Sequence, residues 1–344
     1  MKKSAQGKHE KTRLGKGEKA AVAVFTFVMS AIAITGMYLL WQLNKVKTVE
    51  LPRDNSSLGI TDKIQQDTEG ISEDQEAADT AGTGSGSEEK SGTGTIGMAG
   101  VTNILLLGED VENSSETGRS DTMMILSVNE KDKKIKLVSI MRDMYVYIDG
   151  HGNTKINHAY AYGGPLLSIK TVNQNFLMDI RNYVQVDFSG LEKVVDLMGG
   201  VEVTIKDYEI TPMTSVGITS PGTYNLNGEQ ALAYSSIRCF GNNDFERTER
   251  QRTVVTKLLE KINAKGPGEF PSIVSAVLPY IETSFTRTEM INIGVKALSA
   301  GMNGIERTRI PYDGHYTDMN NGVYYLGWEK DYTITQLHNF IWGQ

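Results

Sequence analysis

Two aspartates and a small set of arginines carry the chemistry legible in this chain. Residues 103–110 read Asn-Ile-Leu-Leu-Leu-Gly-Glu-Asp, and residues 118–122 read Gly-Arg-Ser-Asp-Thr. Ile104 to Leu107 are four bulky apolar residues closed by Gly108, which suits a strand covered on both faces. Asp110 lies just past that run. Asp121 opens a second one, Met123-Met124-Ile125-Leu126, with Arg119 beside it. Two carboxylates at neighbouring strand ends make an oxygen-donor pair for Mg²⁺, an ion that keeps several waters and shares phosphate oxygens. The plainer alternative is that each Asp is a turn or capping residue.

Further along, Ser139-Ile140-Met141-Arg142-Asp143 follows a strand pattern, so Arg142 is expected at the same sheet edge as Asp110. Residues 155–164 are polar and end in Gly163-Gly164; they read as a loop leading to a helix near Pro165. His158 in that loop is expected to orient its neighbours rather than ligate a metal. Tyr234-Ser235-Ser236-Ile237-Arg238 and the run from Asp244 to Arg252 complete the clusters. Asp244, Arg247 and Gln251 are spaced i, i+3, i+7 and share one helical face. Arginines on the first turns of a helix form an anion site, and their planar forks match phosphate oxygens. For Arg250 and Arg252 the alternative is a solvated turn with local pairs, such as Glu246 with Arg250. There is no Ser-His-Asp order, zinc spacing, P-loop or dinucleotide fingerprint. The set favours phosphoryl transfer, where catalysis is mostly positioning and charge stabilisation.

The elements that must position these residues begin at 101. Before that, residues 1–19 are basic, and residues 20–41 carry no charge. The uncharged run is long enough for a bilayer core, with Tyr38 and Trp41 as interfacial anchors. The lysines upstream keep the N-terminus cytoplasmic, so the rest is exported. No small-residue cleavage site follows Trp41, so the expectation is one uncleaved anchor over 20–42. Residues 43–100, rich in Gly, Ser, Thr and Glu between 82 and 95, read as a disordered acidic tether. Residues 101–344 read as one α/β domain. Strands are expected at 103–107, 122–129, 134–140, 183–186 and 201–205, with a hairpin turn at 131–133. Helices are expected at 165–177, 189–197, 228–236, 244–265, 272–281, 286–300 and 333–342. Val254, Val255, Leu258, Leu259 and Ile262 form a core-facing stripe. A net charge of -7 gives no general affinity for nucleic acid. One cysteine, Cys239, excludes an intramolecular disulfide and reads as a small buried residue.

These motifs resemble the LytR-CpsA-Psr family. The resemblance rests on 103–110, 119–122, Arg142-Asp143, 155–157 with Ala159-Tyr160, 183–188, 195–201, and Asp244-x-x-Arg247-x-x-Arg250-Gln251, in order across 101–344. It implies a three-layer α-β-α domain with a central mixed sheet and an apolar pocket for a polyprenyl chain. It implies a single-pass cell-membrane phosphotransferase of a Gram-positive-type bacterium, with its catalytic domain extracytoplasmic. Such enzymes move an anionic glycopolymer, a teichoic acid or capsular polysaccharide, from polyprenyl pyrophosphate to a peptidoglycan hydroxyl. On that resemblance Asp110 and Asp121 hold Mg²⁺, or Mn²⁺. Arg142, Arg238 and Arg247 grip the pyrophosphate, Asp244 and Gln251 organise the site, and Arg119 and Arg250 join the substrate-binding set. Asp244 is also the candidate for deprotonating the acceptor. Three positions depart from the family pattern: Glu112 and Ser236 stand where arginine is usual, and Met141 where proline is common. Two fewer arginines weaken the anionic grip. Leu166, Leu167, Ile169, Val172, Phe176, Leu191, Val194, Val195 and Met198 are candidates to line the lipid pocket. Two alternatives stay open: a hydrolase acting on the same lipid, and a non-catalytic lipid-binding regulator.

Overall fold

The computed structural model describes residues 46–61, 100–110, 118–238, 243–300, 304–320 and 322–343. The expected membrane anchor at 20–42, Glu112 and Cys239 lie outside them. Among the described residues no helix is long and apolar enough to cross a membrane.

A seven-stranded sheet organises the domain, in the order β1-β10-β7-β2-β3-β4-β11. β2 (Val101–Asp110) pairs antiparallel with β3 (Arg119–Asn129) and parallel with β7 (Asn182–Asp187). β4 (Lys134–Ile140) is antiparallel to β3 and parallel to β11 (Ile305–Ile310). At the opposite edge β10 (Glu282–Thr283) joins β7, and β1 (Lys47–Thr48) joins β10. The sheet is therefore mixed, and the turn at 131–133 closes the β3–β4 hairpin as expected.

The central strands are apolar on both faces because helices cover both. Leu105, Leu107, Met123, Ile125, Val138 and Ile140 pack with residues of α1 (His158–Phe176) and α6 (Lys330–Trp342). Leu106 and Met124 point the other way, towards α2 (Phe188–Leu197) and α4 (Asn243–Val277). α5 (Arg287–Ala300) brings Ile293 and Ala297 onto Val128 and Ile135 of that second face. α3 (Gly228–Ser236) sits against α2 and α4, its start fixed by an Asn227–Gln230 capping box.

Several expectations need correction. The tether was placed at 43–100, but its first part belongs to the fold. Leu58 is 0% exposed in the main core, and β1 extends the sheet. Apolar residues in a polar stretch decided that outcome, and composition alone missed it. The loop at 155–164 is helical from His158; Gly163 and Gly164 break the helical dihedrals, and Pro165 opens a second segment. The helices placed at 244–265 and 272–281 are one element, kinked at Gly266 with φ 71°. The hairpins β5 (Tyr145–Ile148) with β6 (Gly152–Lys155) and β12 (Tyr316–Asn320) with β13 (Tyr324–Trp328) were not foreseen. Nor was β9 (Gly222–Leu226), which pairs with β8 (Val201–Ile205).

Candidate functional site

The site grows from an irregularity between β2 and β3. Gly108 faces Thr122 and Glu109 faces Ser120, so Asp121 is the extra residue of a bulge. A bulge re-aims one side chain, and here it sends Asp121 to the end of the sheet. Gly108 permits the close approach, since a Cβ there would lie 2.9 Å from the Thr122 Cβ. The capping alternative for Asp121 therefore falls. Asp110 pairs through its backbone with Arg119 at the same edge; both side chains lie outside the described set.

Three arginines from three elements converge on Asp121. Arg142, just past β4, donates from Nη1 to both carboxylate oxygens at 2.8 Å. Arg238, past the end of α3, donates to Oδ2 at 3.1 Å. Arg247, on the first turns of α4, donates to Oδ2 at 3.2 Å. Burial pushes the Asp121 carboxyl up, but Arg142, Arg247 and Arg238 together hold it below its ordinary value. Asp244 completes the cluster, with Oδ1 at 2.7 Å from Arg247 Nη2 and 3.2 Å from Arg142 Nε. Here burial wins, helped by Asp143 and Asp121 and opposed by Arg247 and Arg142, and the Asp244 carboxyl is raised. Among the described residues its Oδ2 is buried with no hydrogen-bond partner, as is Nε of Arg247. Such orphaned groups in a charged cluster mark a place built for something else to bind.

The cluster stands at the mouth of a cavity of about 430 Å³. Its deep walls are apolar: Leu106 and Met124 from the sheet, Val194 from α2, and Val254, Val255 and Leu258 from α4. Asp121, Arg238, Arg247, Gln251 and Ser236 line the polar end. The α4 stripe is core-facing as read: Val254 and Leu258 are buried in the core under α2 with Ile262 packed on it, and Leu259 packs beside Val128 and Ile135, while Val254, Val255 and Leu258 also line this cavity. Of the nine residues proposed for a lipid pocket, only Leu191 and Val194 line it. Leu166, Leu167, Ile169, Val172 and Phe176 pack on the opposite face of the sheet, and Val195 and Met198 lie in the core under α2, behind the cavity-lining Val194, Val254 and Leu258 with which they cluster. Helical spacing identifies an apolar face but not the layer it meets.

A family profile covering most of the chain decides its membership: that of the LytR_cpsA_psr family matches residues 69–339. The chain belongs to the LytR-CpsA-Psr family. It is 34% identical over 237 residues to the polyisoprenyl-teichoic acid–peptidoglycan teichoic acid transferase TagU of Bacillus mycoides, covering 68% of this chain and 76% of that one. It is 31% identical over 234 residues to the regulatory protein MsrR of Staphylococcus aureus, covering 67% and 70%. Among solved structures, B. subtilis TagT aligns with a TM-score of 0.57 at 28% identity, over 71% of this chain and 91% of that one. YwtF (TagT) with bound octaprenyl pyrophosphate lipid aligns with a TM-score of 0.56 at the same identity and coverage. The α/β domain with its central mixed sheet is thus this family's fold.

One residue of the family motif serves elsewhere in this chain. Arg250 was placed in the substrate-binding set, but it is 3% exposed and turned away from Asp121. It donates to Glu209 Oε1 at 2.7 Å, to Glu246 Oε2 at 2.8 Å and to the Ile237 carbonyl at 3.0 Å. The last bond holds the backbone next to Arg238, so Arg250 positions the site without entering it. Glu209 lies 41 residues away, beyond any local signal. Removing one partner of a buried pair strands the other charge, so Arg250→Ala is expected to lose ~3–5 kcal/mol, measured by urea unfolding. Arg252 is also structural: it pairs with Glu249 and donates to the Thr308 carbonyl, tying α4 to β11. His158 opens α1 with Nδ1 2.9 Å from Thr154 Oγ1, an orienting contact as expected. Two residues of the quoted motifs, given no site role from the sequence, also join the cluster. Lys155 Nζ lies 2.5 Å from Asp143, and Asp143 lies 3.7 Å from Arg142 Nε.

The carboxylates suit a hard divalent ion, since they offer oxygen alone, without thiolate or imidazole. Asp244 Oδ2 is an unused carboxylate oxygen beside Asp121. Among the described residues no three acidic, histidine or cysteine side chains form a ready cage.

Proposed function

We infer that this chain transfers an anionic glycopolymer from a polyprenyl-pyrophosphate carrier to peptidoglycan, on the outer side of the membrane in which its N-terminus is anchored. One observation carries the reading: an apolar cavity of about 430 Å³ ends in three convergent arginines. That pairing of surfaces is complementary to a long hydrocarbon joined to a diphosphate. The name of the TagU relative and the octaprenyl pyrophosphate bound to TagT support the same assignment.

The reaction follows from the residues. An acceptor hydroxyl oxygen attacks the phosphorus that carries the glycan, and the bond from that phosphorus to the bridging oxygen breaks. Polyprenyl phosphate leaves, and a phosphodiester to peptidoglycan forms. Arg142, Arg238 and Arg247 neutralise the charge that builds on the leaving phosphate. Asp244 takes the hydroxyl proton on Oδ2, the oxygen without a partner among the described residues. Gln251 supports substrate from the polar end of the cavity, and Arg119 is assigned to substrate binding with it. Asp110 and Asp121 would hold Mg²⁺, or Mn²⁺, which supplies charge neutralisation at the diphosphate when bound.

The test uses the full-length chain with a polyprenyl-pyrophosphate-linked saccharide and peptidoglycan oligomers, with Mg²⁺ or with chelator. Covalent attachment detected by mass, and lost with chelator, is the expected result. Release of polyprenyl phosphate without attachment would instead make it a hydrolase; lipid binding without turnover would make it a regulator. A second expectation concerns the cavity. Val255→Trp fills it, so octaprenyl pyrophosphate should raise the melting temperature of the wild-type chain but not of the variant.

A further inference from the structure

A second cavity, of about 230 Å³, lies along the same sheet edge. Glu109, Gln185 and Asp187 enter it from the ends of β2 and β7, Glu282 from β10 and Lys47 from β1. Ser189 and Tyr280 form its rim, and it shares Asp187 and Ile281 with the apolar cavity. Glu109 is the residue before Asp110. Ligands of open α/β sheets bind in the crevice at the carboxyl ends of parallel strands, and β2 and β7 are such a pair.

The chemistry of this cavity is the reverse of the arginine cluster. Its three carboxylates face one ammonium, so it repels an anion. Glu282 is already engaged by Tyr183 and Lys47. Glu109 accepts from Gln185 Nε2 at 2.8 Å. Gln185 is 8% exposed, yet among the described residues its Oε1 has no partner. A buried carbonyl oxygen without a donor costs ~1–3 kcal/mol unless a ligand or water supplies one. The complementary ligand is uncharged and rich in O–H and N–H groups, with a ring face to lie on Tyr280. A saccharide has that character; the anionic donor polymer does not.

We propose that this acidic cavity is the subsite for the acceptor saccharide, holding its ring beside Asp187 so that its hydroxyl reaches the arginine-lined mouth next door. This rests on the transferase reading above, whose acceptor it places. Gln185 is a binding residue in it, through Oε1, and Ser189 and Tyr280 form its entrance.

The experiment measures binding of muropeptide oligomers to the full-length chain by calorimetry, without turnover. Gln185→Met removes the acceptor oxygen at nearly constant size. Ser189→Phe fills the cavity from its exposed rim and disturbs no core packing. Each is expected to weaken oligomer binding about three- to tenfold, the worth of one or two hydrogen bonds, and to raise the acceptor KM alone. Octaprenyl pyrophosphate binding should stay at the wild-type value. Unchanged oligomer affinity in both variants, or no oligomer binding to the wild type, overturns the subsite. Oligomer binding that depends on Gln185 in a chain that transfers nothing would uphold the subsite and sink the transferase reading instead. Normal transfer with an unchanged acceptor KM in both variants would do the opposite.

Discussion

Arg247→Ala is expected to lower kcat/KM for glycopolymer transfer by about 10²–10³-fold, the usual effect of losing one preorganised charge-stabilising donor. Arg247 is 1% exposed, touches both Asp121 and Asp244, as Arg142 does, and lines the cavity mouth. Among the described residues its Nε has no partner, which leaves that donor for a ligand oxygen. Both carboxylates keep Arg142 after the substitution, so the chain should still fold. Arg247→Lys restores charge but not the planar fork, and recovery should be small. Thermal shift with octaprenyl pyrophosphate separates the causes: protection should vanish with the arginine. An Arg247→Ala chain with near-normal transfer and lipid protection would remove Arg247 from the diphosphate site.

Asp244→Asn is expected to act on the other half of the reaction. Loss of a positioned base costs ~10²–10⁴-fold in rate, whereas lipid protection should persist because the arginines remain. The pH profile gives the sharper readout. Burial, with Asp143 and Asp121, raises the Asp244 carboxyl above its ordinary value. A base works only when ionised, so activity should fall as pH drops through that raised value. The acid limb should therefore lie above the usual carboxylate range in the wild type and be absent from the residual activity of Asp244→Asn. If the variant keeps both its rate and its acid limb, the proton is taken elsewhere.

Much of the site could be read in the chain because its parts are local. Asp244, Arg247 and Gln251 share a helical face by spacing alone. The two apolar runs before Asp110 and after Asp121 announce adjacent buried strands, and β2 and β3 do pair. What spacing does not reveal is which arginine faces which acid. Arg247 and Arg250 are three residues apart on one helix, yet one meets Asp121 and the other Glu209. The choice depends on partners 126 and 41 residues away.

Residue type and short-range periodicity were enough for the α/β class, the hairpin, the arginine-bearing first turns of α4 and the oxygen-rich character of the site. Long-range packing settled the rest. It placed Leu58 in the core, opened a cavity along part of the core-facing α4 stripe, and sent α1 to the far face of the sheet. It also put Gln185 in a buried acidic cavity with an unsatisfied oxygen. The physical reason is the same throughout. An apolar or charged side chain fixes only what kind of surroundings it needs, and long-range packing selects which surroundings it receives.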